Sequence, residues 1–233
     1  MREAAGSSNP NPIVVTFGQA AQVSTQVTEY MLCESCEQRI AKSERYVAKL
    51  AYSAKGDRIP LDLLGVVPLG VRSARARYAS AKGLDTDKLV FLAASVIWRA
   101  CVAQRKDTGK PILGKTYVEE FRRYLNGEAV FPRNARLTLS ILDQPKGVSF
   151  SLHNIASFPA TLKRDGYHIH GFYLCGLCFE LIVGNMRPSY LETMCLHHGK
   201  DKFVLILTAS EIGLLRDIGR LARSAKAAGK LSR

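Results

Sequence analysis

The sequence lacks any apolar segment long enough to cross a membrane. Its longest uncharged apolar run in a helical pattern, LVFLAASVIW at residues 89–98, has about half the length that a bilayer span needs. The N-terminus is not followed by an apolar stretch of the kind that a secretion signal contains. We therefore expect no membrane crossing. Six cysteines in a chain of 233 residues without such a signal are not typical of a disulfide framework, so we expect reduced thiols and a cytoplasmic protein.

Two common enzyme motifs are also missing. The chain contains no G-x-S-x-G nucleophile elbow and no G-x-G-x-x-G dinucleotide motif. It contains no internal repeat. The sequence therefore gives no support for an α/β-hydrolase or for a dinucleotide-binding oxidoreductase.

Acidic residues are scarce relative to basic ones. The chain has 33 Lys and Arg against 20 Asp and Glu, which gives a formal net charge of +13. This balance favours polyanionic partners such as nucleic acid or an acidic membrane surface, and the alternative is a basic protein with no special partner. Two clusters supply the candidate nucleic-acid-binding residues, which are Arg72, Arg75, Arg77 and Lys82 in the first cluster and Arg216, Arg220 and Arg223 in the second.

The second cluster has helical spacing. Together with Lys226 and Lys230 its members recur every three or four residues, which places them along one stripe of a helix that could follow phosphates. No aromatic platform or base-reading motif accompanies either cluster. Binding through them would therefore be electrostatic and sensitive to salt.

Hydrophobic periodicity predicts an α+β fold. Residues 1–12 are predicted to be a flexible lead-in, and residues 13–130 a β-hairpin followed by a helical, treble-clef-like region. After Pro132 the period changes from 3.6 to 2, so residues 131–233 are predicted to form an antiparallel sheet with a basic C-terminal helix. Within these regions the hairpin strands are expected at 13–18 and 21–32, and the helices at 34–53, 85–105, 115–126 and 210–233.

The segment YMLCESCEQRI contains two cysteines at C-x-x-C spacing, where the predicted second hairpin strand meets a helix. Thiolates at this spacing can converge on one zinc ion, which normally takes four ligands. Cys33 and Cys36 are therefore predicted to be half of a zinc site. Before Cys33 the chain contains no cysteine and no histidine, so the remaining ligands would have to come from another part of the chain or from a protein partner.

These residues also carry a family resemblance. The stretch VTEYMLCESCEQRIAKSERYVAKL (27–50), followed by LAASVIWRA (92–100) and IHGFYL (169–174), resembles bacterial and phage-associated proteins related to HNH endonucleases. The resemblance implies a treble clef in which Cys33 and Cys36 are the second zinc-ligand pair. It also implies structural roles for Glu37, Glu44 and Tyr46. The family's first C-x-x-C and its candidate histidine have no match in this sequence, so no catalytic residue is predicted.

Three functions follow as hypotheses. The first is a degenerate HNH-like protein that binds nucleic acid or a partner and does not cut on its own. The second is a metal-dependent HNH-type DNA endonuclease that an upstream segment or a partner completes. The third is a phage-defence or mobile-element interaction module with no nucleic-acid role.

The other cysteines and histidines are better interpreted as structural. Cys175 and Cys178 form a second C-x-x-C, but the continuous apolar run around them predicts a buried strand that points them to opposite faces. A four-thiolate zinc site with Cys33 and Cys36 remains the alternative. Further possible ligands occur at Cys195, His197 and His198 and at His168 and His170, where hydrogen-bonded or solvated side chains are the expectation.

Overall fold

The computed structural model describes residues 13–16, 19–22, 32–51, 66–67, 77–103, 113–143, 152, 155–164, 166–184, 189–197, 203–208 and 214–228. These residues form five helices and nine strands, so the predicted α+β class is confirmed. In the part of the chain that is described, no helix is long and apolar enough to cross a membrane.

The five helices are α1 (Glu34–Ala51), α2 (Thr86–Val102), α3 (Lys115–Asn126), α4 (Ser189–Met194) and α5 (Leu214–Ala227). Local sequence fixes several of their ends. The Asp85 side chain accepts a hydrogen bond from the Lys88 N–H and caps the start of α2. Gly127, with a φ of 78°, ends α3 in the left-handed conformation that glycine adopts without steric cost. The helices predicted at 34–53, 85–105 and 115–126 are confirmed within three residues at each end.

The first two strands, β1 (Ile13–Thr16) and β2 (Gln19–Gln22), pair in antiparallel fashion and confirm the predicted hairpin. The part of the predicted second strand that would lead to Cys33 lies outside the described residues. The remaining strands are β3 (Val66–Val67), β4 (Arg77–Ser80), β5 (Ala135–Asp143), β6 (Ala160–Arg164), β7 (Tyr167–Leu174), β8 (Leu177–Val183) and β9 (Phe203–Thr208).

These seven strands form one mixed sheet in the order β3-β4-β9-β5-β8-β7-β6. The sequence predicted an antiparallel sheet, and this detail is corrected at one pairing. After β8 the chain crosses to the far side of β5, where β9 runs parallel to it, with Ser140 opposite Leu205. The other side of β9 pairs antiparallel with β4, a strand that the sequence did not predict.

Alternating residues place helices on both faces of the sheet. One face of β5 carries Leu137, Leu139 and Ile141, which belong to one apolar cluster with residues of α1, α2 and α3. On the opposite face Leu142 belongs to a second cluster, against which α5 packs Ile218. The first cluster contains residues from both sides of position 131, because α2 supplies Leu89 and Ile97 while β5 and β8 supply the strand residues.

The apolar run that predicted one continuous strand around Cys175 is instead two strands. Cys175 and Gly176 have φ values of 50° and 81° and form the turn between β7 and β8, in which Leu174 pairs with Leu177. Positive φ at both central residues defines the tight type I′ turn, whose twist matches that of the flanking strands. The prediction was wrong here because such turns normally carry Asn-Gly or Asp-Gly, and a Cys-Gly pair gives little turn signal.

Candidate thiol site and basic helix

The thiol pair lies at the start of α1. The Cys33 carbonyl oxygen accepts hydrogen bonds from the Cys36 and Glu37 N–H groups, each at 3.0 Å, so Cys33 occupies the position immediately before the helix. The Cys33 and Cys36 sulfurs are 3.4 Å apart. Cys33 is exposed and Cys36 is half-buried. The helix start therefore brings the two sulfurs together, as their spacing predicts.

The two thiols have different acidities. The pKa of Cys33 is lowered to about 7, first by the Ser35 hydroxyl, which lies 3.2 Å from its sulfur, and then by the Cys36 N–H at the helix start. The pKa of Cys36 is raised, chiefly because it shares a hydrogen bond with the Cys33 sulfur and secondly because it is desolvated. Of the two thiols, Cys33 is therefore the one that ionises first as pH rises, next to a protonated Cys36.

The end of α3 holds the thiol pair in place. Arg39 Nη1 donates to the Leu125 and Asn126 carbonyl oxygens at 3.3 and 2.8 Å, next to the turn at Gly127. The Asn126 Oδ1 lies 3.9 Å from the Cys36 sulfur. Arg39 Nη2 lies 3.9 Å from the same sulfur. The cation of Arg39 thus bridges the start of α1 and the end of α3.

The sulfur separation alone is compatible with two ligands of one zinc ion. Two sulfurs at about 2.3 Å from a tetrahedral ion lie roughly 3.8 Å apart. The polar neighbours of the pair are the Ser35 hydroxyl, the Asn126 amide and the Arg39 guanidinium. Neutral hydroxyl and amide oxygens are not the Cys, His or carboxylate ligands of structural zinc, and a guanidinium repels the ion.

No further ligands join the pair within the described ranges. All six cysteines are described, and no group of three or more Cys, His, Asp or Glu side chains gathers anywhere in those ranges. The four-thiolate alternative with Cys175 and Cys178 is therefore not assembled. The described donor set does not fit a closed zinc site, and zinc at Cys33 and Cys36 stays a prediction that needs donors from other residues or from a partner.

Three of the four remaining cysteines are buried or half-buried, and the fourth, Cys175, is half-buried in the turn between β7 and β8. Cys178 is buried on β8, and burial raises its pKa. Cys195 is buried after α4, with its sulfur 3.4 Å from the Glu192 carbonyl oxygen. Cys101 is half-buried near the end of α2, and burial raises its pKa as well. These environments suit small apolar side chains and do not activate a thiol.

Two of the three described histidines make structural contacts. His170 is fully buried, with its Nδ1 2.9 Å from the Thr161 hydroxyl, and burial lowers its pKa to about 4. The His197 ring lies 4.1 Å from the Phe131 ring, and its Nε2 is 3.1 Å from the Ala135 carbonyl oxygen. His168 is exposed. His170 and His197 therefore have a structural explanation, while His153 and His198 lie outside the described residues.

The basic stripe is defined here as Arg216, Arg220, Arg223 and Lys226 of α5. All four side chains are exposed. The opposite side of the helix packs Ile218 against the sheet, next to Leu142 and Cys178, and α5 also lies beside the β1–β2 hairpin. The fold therefore presents the stripe outward from a helix that is held by its apolar side.

Most side chains of the first predicted basic cluster lie outside what the structure describes. Arg72 and Arg75 lie outside the described residues. Arg77 begins β4, but its side chain is not described, and Lys82 is exposed just after that strand. The basic stripe of α5 is therefore the predicted basic cluster whose side chains the structure describes.

Residues of the family resemblance hold α1 against α2. The Asp85 N–H donates to the Tyr46 hydroxyl at 2.6 Å, at the start of α2. Arg99 Nη2 lies 3.1 Å from a carboxylate oxygen of Glu44. Glu37 is exposed in the first turn of α1, where its negative charge suits the helix dipole. Glu44 and Tyr46 therefore have a packing role in this chain.

Sequence reasoning missed one pattern. Residues 109–116, GKPILGKT, match the G-x-x-x-x-G-K-T spacing of a phosphate loop, and α3 begins at the lysine of that pattern, Lys115. A phosphate loop connects a strand to a helix, so that the backbone N–H groups of the loop surround phosphate. The described element before it is α2, and residues 104–112 lie outside the description. The spacing alone does not assign a nucleotide site.

Comparisons with known proteins identify no relative. The chain matches no protein-family model, no curated protein and no solved structure. Fold and site define an α+β protein with a mixed sheet, a pair of thiols at a helix start of which Cys33 is exposed, and an outward-facing basic helix.

Proposed function

We propose that this protein is a nucleic-acid-binding relative of the HNH endonucleases that does not cut on its own. The observation that carries the proposal is the basic stripe of α5, with four exposed cationic side chains on one helical face. The sequence of α5 contains one acidic residue, Asp217. The formal charge of +13 points to the same class of partner.

The dimensions of the stripe suit a phosphate backbone. Arg216 and Lys226 are ten residues apart, which corresponds to about 15 Å along a helix axis. Successive phosphates on one strand of a duplex advance about 3.4 Å along its axis, so four cations over this length can each neutralise a phosphate. Arginine adds planar donors that bind phosphate oxygens through two hydrogen bonds.

The packing of α5 favours nucleic acid over a membrane surface. A basic amphipathic helix that lies on a membrane inserts its apolar face between lipids. In this fold that face is partly used, because Ile218 packs against the cluster of Leu142, Leu152 and Cys178. A partner that reads only the charged face is therefore the better match, and the resemblance to HNH proteins gives nucleic acid as that partner.

The proposal assigns no catalytic residue. An HNH centre needs a divalent cation and a histidine that activates water. The family's histidine has no match in this sequence, and His170 and His197 make packing and hydrogen-bond contacts. We therefore expect binding without strand cleavage.

The stripe can be tested by removing its charge. The variant Arg216→Ala, Arg220→Ala, Arg223→Ala, Lys226→Ala is compared with the wild type on a labelled 20-base-pair duplex by fluorescence anisotropy, between about 50 and 200 mM salt. Each lost phosphate contact lowers the magnitude of the slope of log K against log salt by about 0.9, so for four contacts we expect a slope that is smaller in magnitude by about 3.6 and affinity reduced at least tenfold at low salt.

A matched control separates the stripe from bulk charge. The variant Lys42→Ala, Lys49→Ala, Lys115→Ala, Lys163→Ala removes the same number of cations from other surfaces. It should keep a slope within about one unit of the wild type. Equal losses in both variants, or no salt-sensitive binding by the wild type, would overturn the proposal. The second result would favour an interaction module with no nucleic-acid role.

Nicking of supercoiled plasmid is measured in the same samples with magnesium, manganese or zinc. Binding without nicking is expected. Metal-dependent nicking that is absent from a mock purification would favour the alternative of an HNH-type endonuclease. A longer chain, expressed from further upstream in the same reading frame, then tests whether an added segment supplies the missing ligands.

A further inference from the structure

The thiol pair has a geometry that the nucleic-acid proposal does not use. Two sulfurs face each other at 3.4 Å at the start of an 18-residue helix, and their described neighbours do not complete a metal site. We propose that Cys33 and Cys36 form a redox-active dithiol that exchanges electrons with small or peptide disulfides, with Cys33 as the attacking and Cys36 as the resolving thiol.

The backbone geometry allows a disulfide between the two residues. Residues three apart in a helix have Cα atoms about 5 Å apart, within the range of roughly 4.4–6.8 Å that disulfides use. The sulfurs must approach from 3.4 Å to a bond length of about 2.05 Å. Cys33 lies before the first helical residue and its side chain is exposed, so rotation of that side chain can close the gap without breaking the helix.

The exposure of the two thiols sets their order of reaction. Cys33 is open to solvent and can meet a disulfide of another molecule, whereas Cys36 is half-buried against Asn126 and Arg39. Cys36 is therefore less accessible to a substrate in solution, but its sulfur is close enough to attack a disulfide formed at Cys33. The Ser35 hydroxyl, 3.2 Å from the Cys33 sulfur, can donate a hydrogen bond to a thiolate there.

The reaction balances in two exchanges. The Cys33 thiolate attacks one sulfur of a disulfide R–S–S–R′, which forms Cys33–S–S–R and releases R′–S⁻. The Cys36 thiol loses its proton to solvent and attacks the Cys33 sulfur, which forms the Cys33–Cys36 disulfide and releases R–S⁻. The two cysteines give up two electrons, and the substrate disulfide is reduced to two thiolates that take protons from solvent.

The other four thiols provide an internal comparison. Cys178 and Cys195 are buried, and Cys101 and Cys175 are half-buried and well separated along the sequence from Cys33. A small disulfide should therefore react first with Cys33. Selective reaction at this pair, with four thiols left reduced, is what the structure predicts.

The test uses the full reduced chain, oxidised glutathione and a chelator that removes adventitious zinc. After acid quenching, mass spectrometry should show wild-type protein lighter by about 2 mass units, with a Cys33–Cys36 linkage in the peptide map and no lasting glutathione adduct. Cys36→Ser should hold a glutathione adduct on Cys33 at least tenfold longer than the wild type. Cys33→Ser should give neither product, and Cys101→Ser should behave as the wild type.

Three results would overturn the redox proposal. The first is a wild-type glutathione adduct as persistent as that of Cys36→Ser, and the second is a first disulfide that involves another cysteine. The third is one equivalent of zinc that resists the chelator and protects both thiols from oxidation. Far-ultraviolet circular dichroism checks that each serine variant is folded. If a variant is not folded, the position of the first disulfide in the wild-type protein tests the proposal on its own.

Discussion

At the scale of single residues, His170 shows how burial fixes a protonation state. Its ring is fully buried on β7, and its Nδ1 pairs with the Thr161 hydroxyl at 2.9 Å. Its Nε2 has no hydrogen-bond partner among the described residues. A neutral ring can leave that nitrogen unprotonated, whereas an imidazolium needs a second acceptor there. Burial disfavours the charged ring and is the main reason that the pKa of His170 is lowered to about 4. The charge of His168 lowers this pKa further.

We therefore expect His170 to weaken the fold in acid. Its pKa is about 6.5 when unfolded and about 4 when folded, so between these values the unfolded chain binds more protons. The free energy of unfolding should fall as pH drops through this window, by about 2 kcal/mol from this residue between pH 7 and pH 5. His170→Asn preserves a polar partner for Thr161 but does not titrate. Urea unfolding at pH 7 and pH 5 gives the change in the free energy of unfolding between the two pH values. This change should be smaller by about 2 kcal/mol in the variant than in the wild type, and an equal change in both proteins would contradict the expected role of His170.

The sequence predicted part of the thiol environment and missed the rest. C-x-x-C spacing at a helix start is local, so it was sufficient to bring the Cys33 and Cys36 sulfurs together. Asn126, which lies 90 positions after Cys36 in the chain, could not be foreseen as its neighbour. The same holds for the contact of Arg39 with the end of α3. These contacts depend on how two helices pack, and helical periodicity does not specify a partner.

At the scale of elements, helices with clear end signals were predictable. Asp85 before an apolar 3.6-residue pattern, and Gly127 after one, mark the start of α2 and the end of α3. The strands β3 and β4 carried no comparable signal, since they have two and four residues and lie in or after a Pro- and Gly-containing segment. Short strands of this kind gain their structure from pairing and not from local preference.

Two glycines in helical segments should respond in opposite directions to alanine. Gly219 lies inside α5, and an added Cβ would make an ordinary 3.5 Å contact with the Arg223 side chain. Gly219→Ala should therefore stabilise the protein by about 0.5–1 kcal/mol, because alanine loses less backbone entropy in a helix. Gly127→Ala should destabilise by about 1 kcal/mol or more, because its φ of 78° is strained for any residue with a Cβ.

Urea unfolding followed by circular dichroism measures both changes under identical conditions. Destabilisation by Gly219→Ala would show that α5 is not a regular helix at this position. Unchanged stability in Gly127→Ala would show that α3 does not end in the left-handed conformation.

At the scale of the whole molecule, the sequence predicted the class but not the connection of the sheet. A period of two identifies strands without naming their partners, so the insertion of β9 between β4 and β5 could not be read from it. This insertion joins a strand from before residue 131 to strands from after it. Unfolding experiments can therefore test whether the regions before and after residue 131, which the sequence predicted as separate, unfold together or independently.

One apolar cluster spans this division, so we expect a single cooperative unfolding transition. Trp98 is the single tryptophan and reports on the helices, because its indole N–H donates to the Val118 carbonyl oxygen of α3 at 3.1 Å. Alkylation of Cys178, which is 5% exposed on β8, reports on the sheet. The urea midpoints of the two probes should coincide in the wild type.

The substitution Leu137→Ala tests whether the shared cluster causes this coupling. Leu137 is fully buried on β5, and its truncation should lower the free energy of unfolding by about 2–5 kcal/mol. Leu137 and Leu89 belong to the same apolar cluster. If this cluster couples the helices to the sheet, the urea midpoints measured by Trp98 fluorescence and by Cys178 alkylation must fall by the same amount. A shift confined to Cys178 would mean that residues after position 131 unfold separately, since the helical side would then keep its stability without the sheet.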